Sequence, residues 1–209
     1  MPYLQTRAIR KRYASSGVLA NDGVDLEVEK HEIHAVVGEN GAGKTTLMKI
    51  LCGLEQADGG RILLDGREAR IRSPLDARRL GIGMVHQHFR LIPEFTVAEN
   101  IVLGSEPRRG GLVLDRERAV ARVREVSDRH GLPLDPTALV SRLTVGEMQA
   151  VEIGKILYRE AQLLILDEPT SVLTEQQVKR LFAALRRLSQ SGKTIVLITH
   201  KLAEVKAVA

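Results

Sequence analysis

The sequence predicts an α/β fold: a core sheet, a small antiparallel β subdomain, and a helical subdomain inserted between two strand-rich parts. Three observations carry that expectation. Apolar runs alternate with amphipathic stretches along the chain, the pattern of helices packed on a buried sheet. Leu163-Leu164-Ile165-Leu166 and Ile195-Val196-Leu197-Ile198 are continuously apolar, as strands covered on both faces are. Residues 89–160 are mostly helical in pattern and interrupt an otherwise strand-rich chain.

In chain order, strands are expected over residues 3–9, 24–28, 33–37, 61–64, 82–86, 163–166 and 194–199. The early ones alternate like half-exposed strands of an antiparallel sheet. Helices are expected over 44–52, 74–80, 97–103, 115–129, 147–158, 175–189 and from 201 to the end. Arg108-Arg109-Gly110-Gly111 and Gly131-Leu132-Pro133-Leu134-Asp135-Pro136 stack chain-breaking residues and read as loops. The organisation expected is one domain over 1–209, with 1–88 and 161–209 as the core and 89–160 as the helical subdomain.

Composition narrows the function classes. At 209 residues the chain can bury a sizeable core, and 44% hydrophobic with 27% charged residues is ordinary for a globular protein. No run approaches the roughly 18 apolar residues of a membrane span. The start, Met1 to Arg7, has no apolar segment marking secretion, and the lone Cys52 has no internal disulfide partner, so a cytosolic location is the default. The net charge of +5 invites a nucleic-acid reading. The basic residues are spread out and interleaved with acids, and aromatics are only 3%, too few for a base-stacking platform. No nucleic-acid partner is expected.

The strongest local signal is Gly38-Glu39-Asn40-Gly41-Ala42-Gly43-Lys44-Thr45, followed by Thr46. It matches the phosphate-binding P-loop pattern G-x-x-x-x-G-K-[ST] and lies between an expected strand and an expected helix. The glycines permit a tight loop whose backbone N–H groups turn inward onto phosphate oxygens. The helix adds its positive N-terminal end. Lys44 is placed to reach β- and γ-phosphates, and the Thr45 hydroxyl to ligate Mg²⁺.

The second signal is Leu163-Leu164-Ile165-Leu166-Asp167-Glu168-Pro169-Thr170, a buried strand ending in two acids at the carboxyl edge of the sheet. Asp167 is the expected holder of Mg²⁺. Glu168 is the expected group that orients or deprotonates the attacking water.

With these motifs in this order, the chain resembles the ATP-binding cassette family over essentially its whole length. The resemblance implies a P-loop core and further roles. Gln87 looks like the glutamine that senses Mg²⁺ and the attacking water and contacts transmembrane subunits. Leu143-Thr144-Val145-Gly146-Glu147-Met148-Gln149 resembles the family's signature, which would bring Thr144 and Gly146 to a γ-phosphate held by a partner domain. His200 looks like the switch histidine, and Tyr13 like the aromatic that stacks on adenine. Thr144 replaces serine but keeps a hydroxyl, and Val145 replaces a glycine. Glu147 for glutamine and Thr174 for aspartate bear on the inter-domain catalytic site; neither bears on nucleotide binding.

Gly83-Met84-Val85-His86-Gln87-His88-Phe89, Thr96-Val97-Ala98-Glu99-Asn100-Ile101 and Ile198-Thr199-His200-Lys201-Leu202 look like the ATPases of simple-sugar and nucleoside importers. The resemblance therefore implies Mg-ATP hydrolysis driving solute uptake at the cytoplasmic face of a membrane. The implied partners are transmembrane permease subunits, a second cassette and, indirectly, a periplasmic or lipoprotein solute-binding protein. Such ATPases carry two tandem cassettes, so the length reads as the first of the two, truncated after the switch histidine. Two alternatives stay open: a soluble cassette ATPase of translation or DNA repair, and a nucleotide-binding regulatory module without useful turnover.

Overall fold

The computed structural model describes residues 2–110, 113–201 and 204. The chain opens with β1 (Leu4–Arg12), β2 (Leu19–Val28) and β3 (Ile33–Val37), then α1 (Lys44–Leu51). Next come β4 (Gly59–Leu64), β5 (Arg67–Glu68), α2 (Pro74–Arg79), β6 (Ile82–Val85) and α3 (Val97–Val102). The remainder is β7 (Arg108–Arg109), β8 (Val113–Leu114), α4 (Arg116–His130), α5 (Val145–Tyr158), β9 (Leu163–Asp167), α6 (Glu175–Gln190) and β10 (Thr194–Thr199).

One sheet is antiparallel, in the order β2-β1-β4-β5; the other is parallel, in the order β3-β10-β9-β6. Every residue of β9 and β10 is buried, whereas the edge strand β3 is mostly half-buried and β6 is buried at its two ends and half-buried between them. The two continuous apolar runs work because side chains alternate across a strand. Leu163, Ile165, Val196 and Ile198 face one core with Leu47, Met48 and Leu51 of α1 and Leu4, Ile9 and Val28 of the antiparallel sheet. Leu164, Leu166, Ile195 and Leu197 face the other, against Ile153 and Leu157 of α5 and Leu181, Phe182 and Leu185 of α6. Full burial of each such side chain is worth about 2 kcal/mol. A third cluster joins Val97, Ile101 and Val102 of α3, Ala119 and Val123 of α4, and Val151 of α5.

Helix starts follow cap chemistry. Ser73 and Asp115 cap α2 and α4 with side-chain oxygens. Thr96, Thr144 and Thr174 close reciprocal boxes with Glu99, Glu147 and Gln177 at the starts of α3, α5 and α6. Thus α5 begins at Val145, two residues before the expected 147.

The structure departs from expectation mainly in polar segments. β1 continues past residue 9 and β2 begins before 24, through ladder pairs such as Lys11↔Asn21 and a salt bridge from Arg10 to Asp22 at 3.3 Å. Neither feature leaves an apolar alternation to read. Arg108–Arg109, expected as a loop, pairs with Val113–Leu114 in a short antiparallel ladder, with Gly110 at φ 59° following the first strand. The expected helix from 201 onward lies outside the described residues, save Lys201 and Glu204.

Candidate nucleotide and catalytic site

The glycine loop follows β3 and hands over to α1 at Gly43, whose φ of 82° lies in the left-handed region. A Cβ there would fall 2.1 Å from the Ala20 carbonyl oxygen and 2.8 Å from the Asn21 side-chain nitrogen, so the position needs glycine on both counts. Asn21 Nδ2 donates to the Gly43 carbonyl at 3.2 Å and pins the loop to β2. Among the described α-helices, α1 alone has no side-chain cap. Its first N–H groups are left for an anion. Lys44 Nζ curls back to donate to the carbonyls of Gly38 at 2.7 Å and Glu39 at 2.8 Å, which holds the ammonium over the loop.

The loop opens on a cleft of about 400 Å³. It is lined by the loop and helix start from Asn40 to Thr46, by Tyr13, Val18 and Ala20, and by Gln87 and Glu168. Tyr13 places its hydroxyl 3.4 Å from the Thr46 hydroxyl, and Lys11 Nζ sits 5.5 Å from its ring centre.

The acids stand at the carboxyl edge of the parallel sheet. Asp167 ends β9 and is buried, and the Thr45 hydroxyl donates to its Oδ1 at 3.4 Å. Burial pushes the Asp167 carboxyl above the usual aspartate range; the Thr45 hydrogen bond opposes this and the neighbouring Glu168 charge adds to it. A solvent-facing threonine hydroxyl beside a buried, poorly solvated carboxylate is a pair of oxygen donors that fits a hard divalent cation. Glu168 holds φ at 46°, unusual for a residue with a Cβ, and its N–H donates to Ile198 O at 3.1 Å. Two side chains from neighbouring strand ends grip its carboxylate: Gln87 Nε2 at 3.3 Å from Oε2, and His200 Nδ1 at 3.1 Å from Oε1.

Thr144 and Gly146 stand apart from this cleft and line no part of it. The Glu147 carboxylate accepts from the Thr144 N–H at 2.8 Å and its hydroxyl at 2.7 Å. Those two bonds hold the Glu147 carboxyl below the usual glutamate range. Thr174 likewise has a structural role, as the α6 cap. Cys52 is buried beside the site, and burial raises its thiol to about 12, which removes it as a nucleophile.

Asn21, Val18 and Ala20 escaped the sequence reading. A polar residue inside a strand and two small apolar ones at its start carry no motif; the contacts of Ala20 and Asn21 with Gly43 and the place of Val18 in the cleft lining mark them.

A parallel sheet whose carboxyl edge carries a glycine cradle, an uncapped helix and paired acids defines a P-loop nucleotide-binding domain. The ABC transporter family model matches residues 21–171, and the chain belongs to that family. It is 50% identical over 204 residues to a ribose import ATP-binding protein of Rubrobacter xylanophilus, covering 98% of this chain and 40% of that protein. A nucleoside import ATP-binding protein of Lactococcus lactis is 49% identical over 206 residues, with 99% and 40% covered. The chain thus spans about 40% of the length of these curated relatives. A solved ATP-binding cassette of an ABC transporter in its ADP conformation superposes with a TM-score of 0.86 at 25% identity, covering 100% of this chain and 85% of that one. The α/β P-loop core with a separate antiparallel sheet is the fold the sequence predicted.

Proposed function

We propose that this chain is the ATP-binding and ATP-hydrolysing unit of an importer of a simple sugar or a nucleoside. The observation that carries the proposal is the Glu168 carboxylate, held between Gln87 and His200 at the mouth of the Lys44 cradle. In this reading the loop from Gly38 through Glu39, Asn40, Gly41, Ala42 and Gly43 wraps the phosphates, with Lys44 on the β- and γ-oxygens and Thr45 and Thr46 at the first turn. Tyr13 stacks on the base. Glu168 orients or deprotonates the attacking water, and Gln87 and His200 aim its carboxylate and sense the γ-phosphate. Thr45, Asp167 and Gln87 would hold Mg²⁺. When bound, that ion supplies Lewis-acid charge on the phosphate oxygens.

Because Thr144 and Gly146 lie away from the chain's own cleft, they are assigned to the phosphates of a second cassette, which returns its own pair. Residues 1–88 and 161–209 act as the catalytic core and 89–160 as the helical subdomain of one cassette. The remaining partners are membrane permease subunits and, through them, a solute-binding protein, which places the chain at the cytoplasmic membrane face. The import names of the relatives support this assignment, and among the described residues no helix is long and apolar enough to cross a membrane.

The test is ATP turnover by the full-length chain assembled with its membrane subunits in vesicles, beside uptake of labelled ribose and guanosine. Turnover without uptake of either class would move the chain to another cassette function. No turnover under any loading would leave a nucleotide-binding regulatory module.

A further inference from the structure

Between β6 and α3 the chain crosses from the parallel sheet to the helical layer with no strand or helix of its own. Side chains hold its backbone there. The Arg90 N–H donates to Glu152 Oε1 at 2.6 Å, and the Arg90 carbonyl accepts from Lys155 Nζ at 2.9 Å. Two residues later the Ile92 N–H donates to Asn100 Oδ1 at 2.7 Å, and the Ile92 carbonyl accepts from Asn100 Nδ2 at 3.0 Å. Glu152 and Asn100 are only 7% and 1% exposed. Deleting either would therefore leave backbone groups short of partners. Glu152 and Lys155 also pair with each other at 3.5 Å across one turn of α5, so the buried carboxylate is compensated.

Gln87 sits between two anchors. On one side β6 ends at Val85, which is laddered to Leu166 of β9. On the other, Arg90 is fastened to α5. The same helix rests directly on β6, where a Cβ on Gly83 would fall 2.8 Å from Ile156 Cβ. A displacement of α5 relative to β9 must therefore be absorbed within residues 86–89, the segment whose Gln87 amide reaches Glu168 at 3.3 Å. That helix begins at the Thr144 cap.

We propose that Glu152 and Lys155 are positioning residues for Gln87. By gripping both backbone polar groups of Arg90, they tie the place of the Gln87 amide on Glu168 to the place of the helix that starts at Thr144. The inference rests on the role given to Gln87 and Glu168 above. Loosening the grip leaves the Lys44 cradle intact, since the cradle's bonds run to β2, to Asp167 at the end of β9 and within its own loop. It frees the Gln87 segment from α5.

A double-mutant cycle on turnover of the full-length assembly tests this, using Gln87→Ala with Glu152→Ala and with Glu152→Gln. The glutamine variant keeps an oxygen for the Arg90 N–H and loses the charge facing Lys155, so it retains the fold if the alanine variant does not. Glu152→Ala should lower kcat about tenfold with ATP affinity unchanged, Glu152→Gln should restore most of that loss, and neither should lower kcat further in the Gln87→Ala background. Multiplicative losses would overturn the positioning role while leaving the catalytic reading of Gln87 standing. Wild-type turnover in Gln87→Ala alone would sink that reading and the inference with it. Hydrogen exchange supplies a second readout, with Mg²⁺ and a non-hydrolysable ATP analogue added to the chain. The nucleotide response of residues 144–150 should vanish in Glu152→Ala and return in Glu152→Gln, while that of residues 38–46 persists in both. A response retained in both segments of Glu152→Ala would count against the proposal.

Discussion

His200 and Glu168 meet across the ends of adjacent parallel strands, with the histidine Nδ1 3.1 Å from the glutamate Oε1. The residues are 32 apart in sequence, yet β10 and β9 are neighbours in the sheet. Gln87 reaches the second oxygen of the same carboxylate from the end of β6, on the other side of β9. This convergence gives the acid a fixed aim, and it makes its chemistry separable from nucleotide binding.

Replacing Glu168 with Gln keeps the shape and removes the basicity. Turnover of the assembled transporter should fall by about 10²-fold or more, the scale of losing a general base. ATP affinity should hold or rise, because a carboxylate facing a γ-phosphate repels it. Asp167→Asn gives the contrast: Mg²⁺-dependent affinity itself should drop. Steady-state hydrolysis beside nucleotide titration with and without Mg²⁺ distinguishes the two. Near-normal hydrolysis by Glu168→Gln would make the acid structural.

Lys44→Ala should weaken ATP binding by about 10²-fold, the scale of losing charge-assisted hydrogen bonds to phosphate. Among the described residues the lysine's hydrogen bonds run to loop carbonyls, so folding should be little changed. Fluorescent-nucleotide titration measures the first and thermal melting the second. Unchanged affinity would refute the cradle assignment.

Gly43→Ala should damage both fold and binding. The added methyl meets a backbone carbonyl at 2.1 Å and strains a φ of 82°. A loss of about 2 kcal/mol or more, hence a Tm drop of about 4 °C or more, is expected. Gly41→Ala is the control: its φ of 84° is also positive, but the added methyl meets nothing within 4 Å. Equal Tm losses in the two variants would show that the Ala20 contact does not matter.

Glu147→Gln should preserve the α5 cap, since glutamine closes the same box. The two proteins should differ in their response to acid. The Glu147 carboxyl is lowered in the folded chain by its bonds from Thr144. Its contribution is therefore complete above the ordinary glutamate pKa and is lost as pH falls through the lowered value. Melting curves between about pH 6 and pH 3 should show a smaller acid-side Tm loss in the glutamine variant. Identical pH profiles would mean that the charge on the Glu147 carboxylate adds nothing to the stability of the box.

The sequence alone determined whatever one continuous segment contains. A strand, a glycine loop and a helix in succession specify a phosphate cradle because its N–H groups, lysine and hydroxyl come from neighbouring residues. The apolar run ending in Asp167-Glu168 likewise declared a buried strand with acids at its edge. Only the tertiary structure decided that Gln87 and His200 grip Glu168 from opposite sides, since contacts 81 and 32 residues apart depend on strand order. The same holds for Asn21 against Gly43 and for Glu152 and Lys155 on the Arg90 backbone. It also decided that Glu147 and Thr174, departures that bore on the catalytic site in the sequence, serve as partners in helix caps. A polar side chain has several possible uses, and the backbone group brought within its reach selects among them.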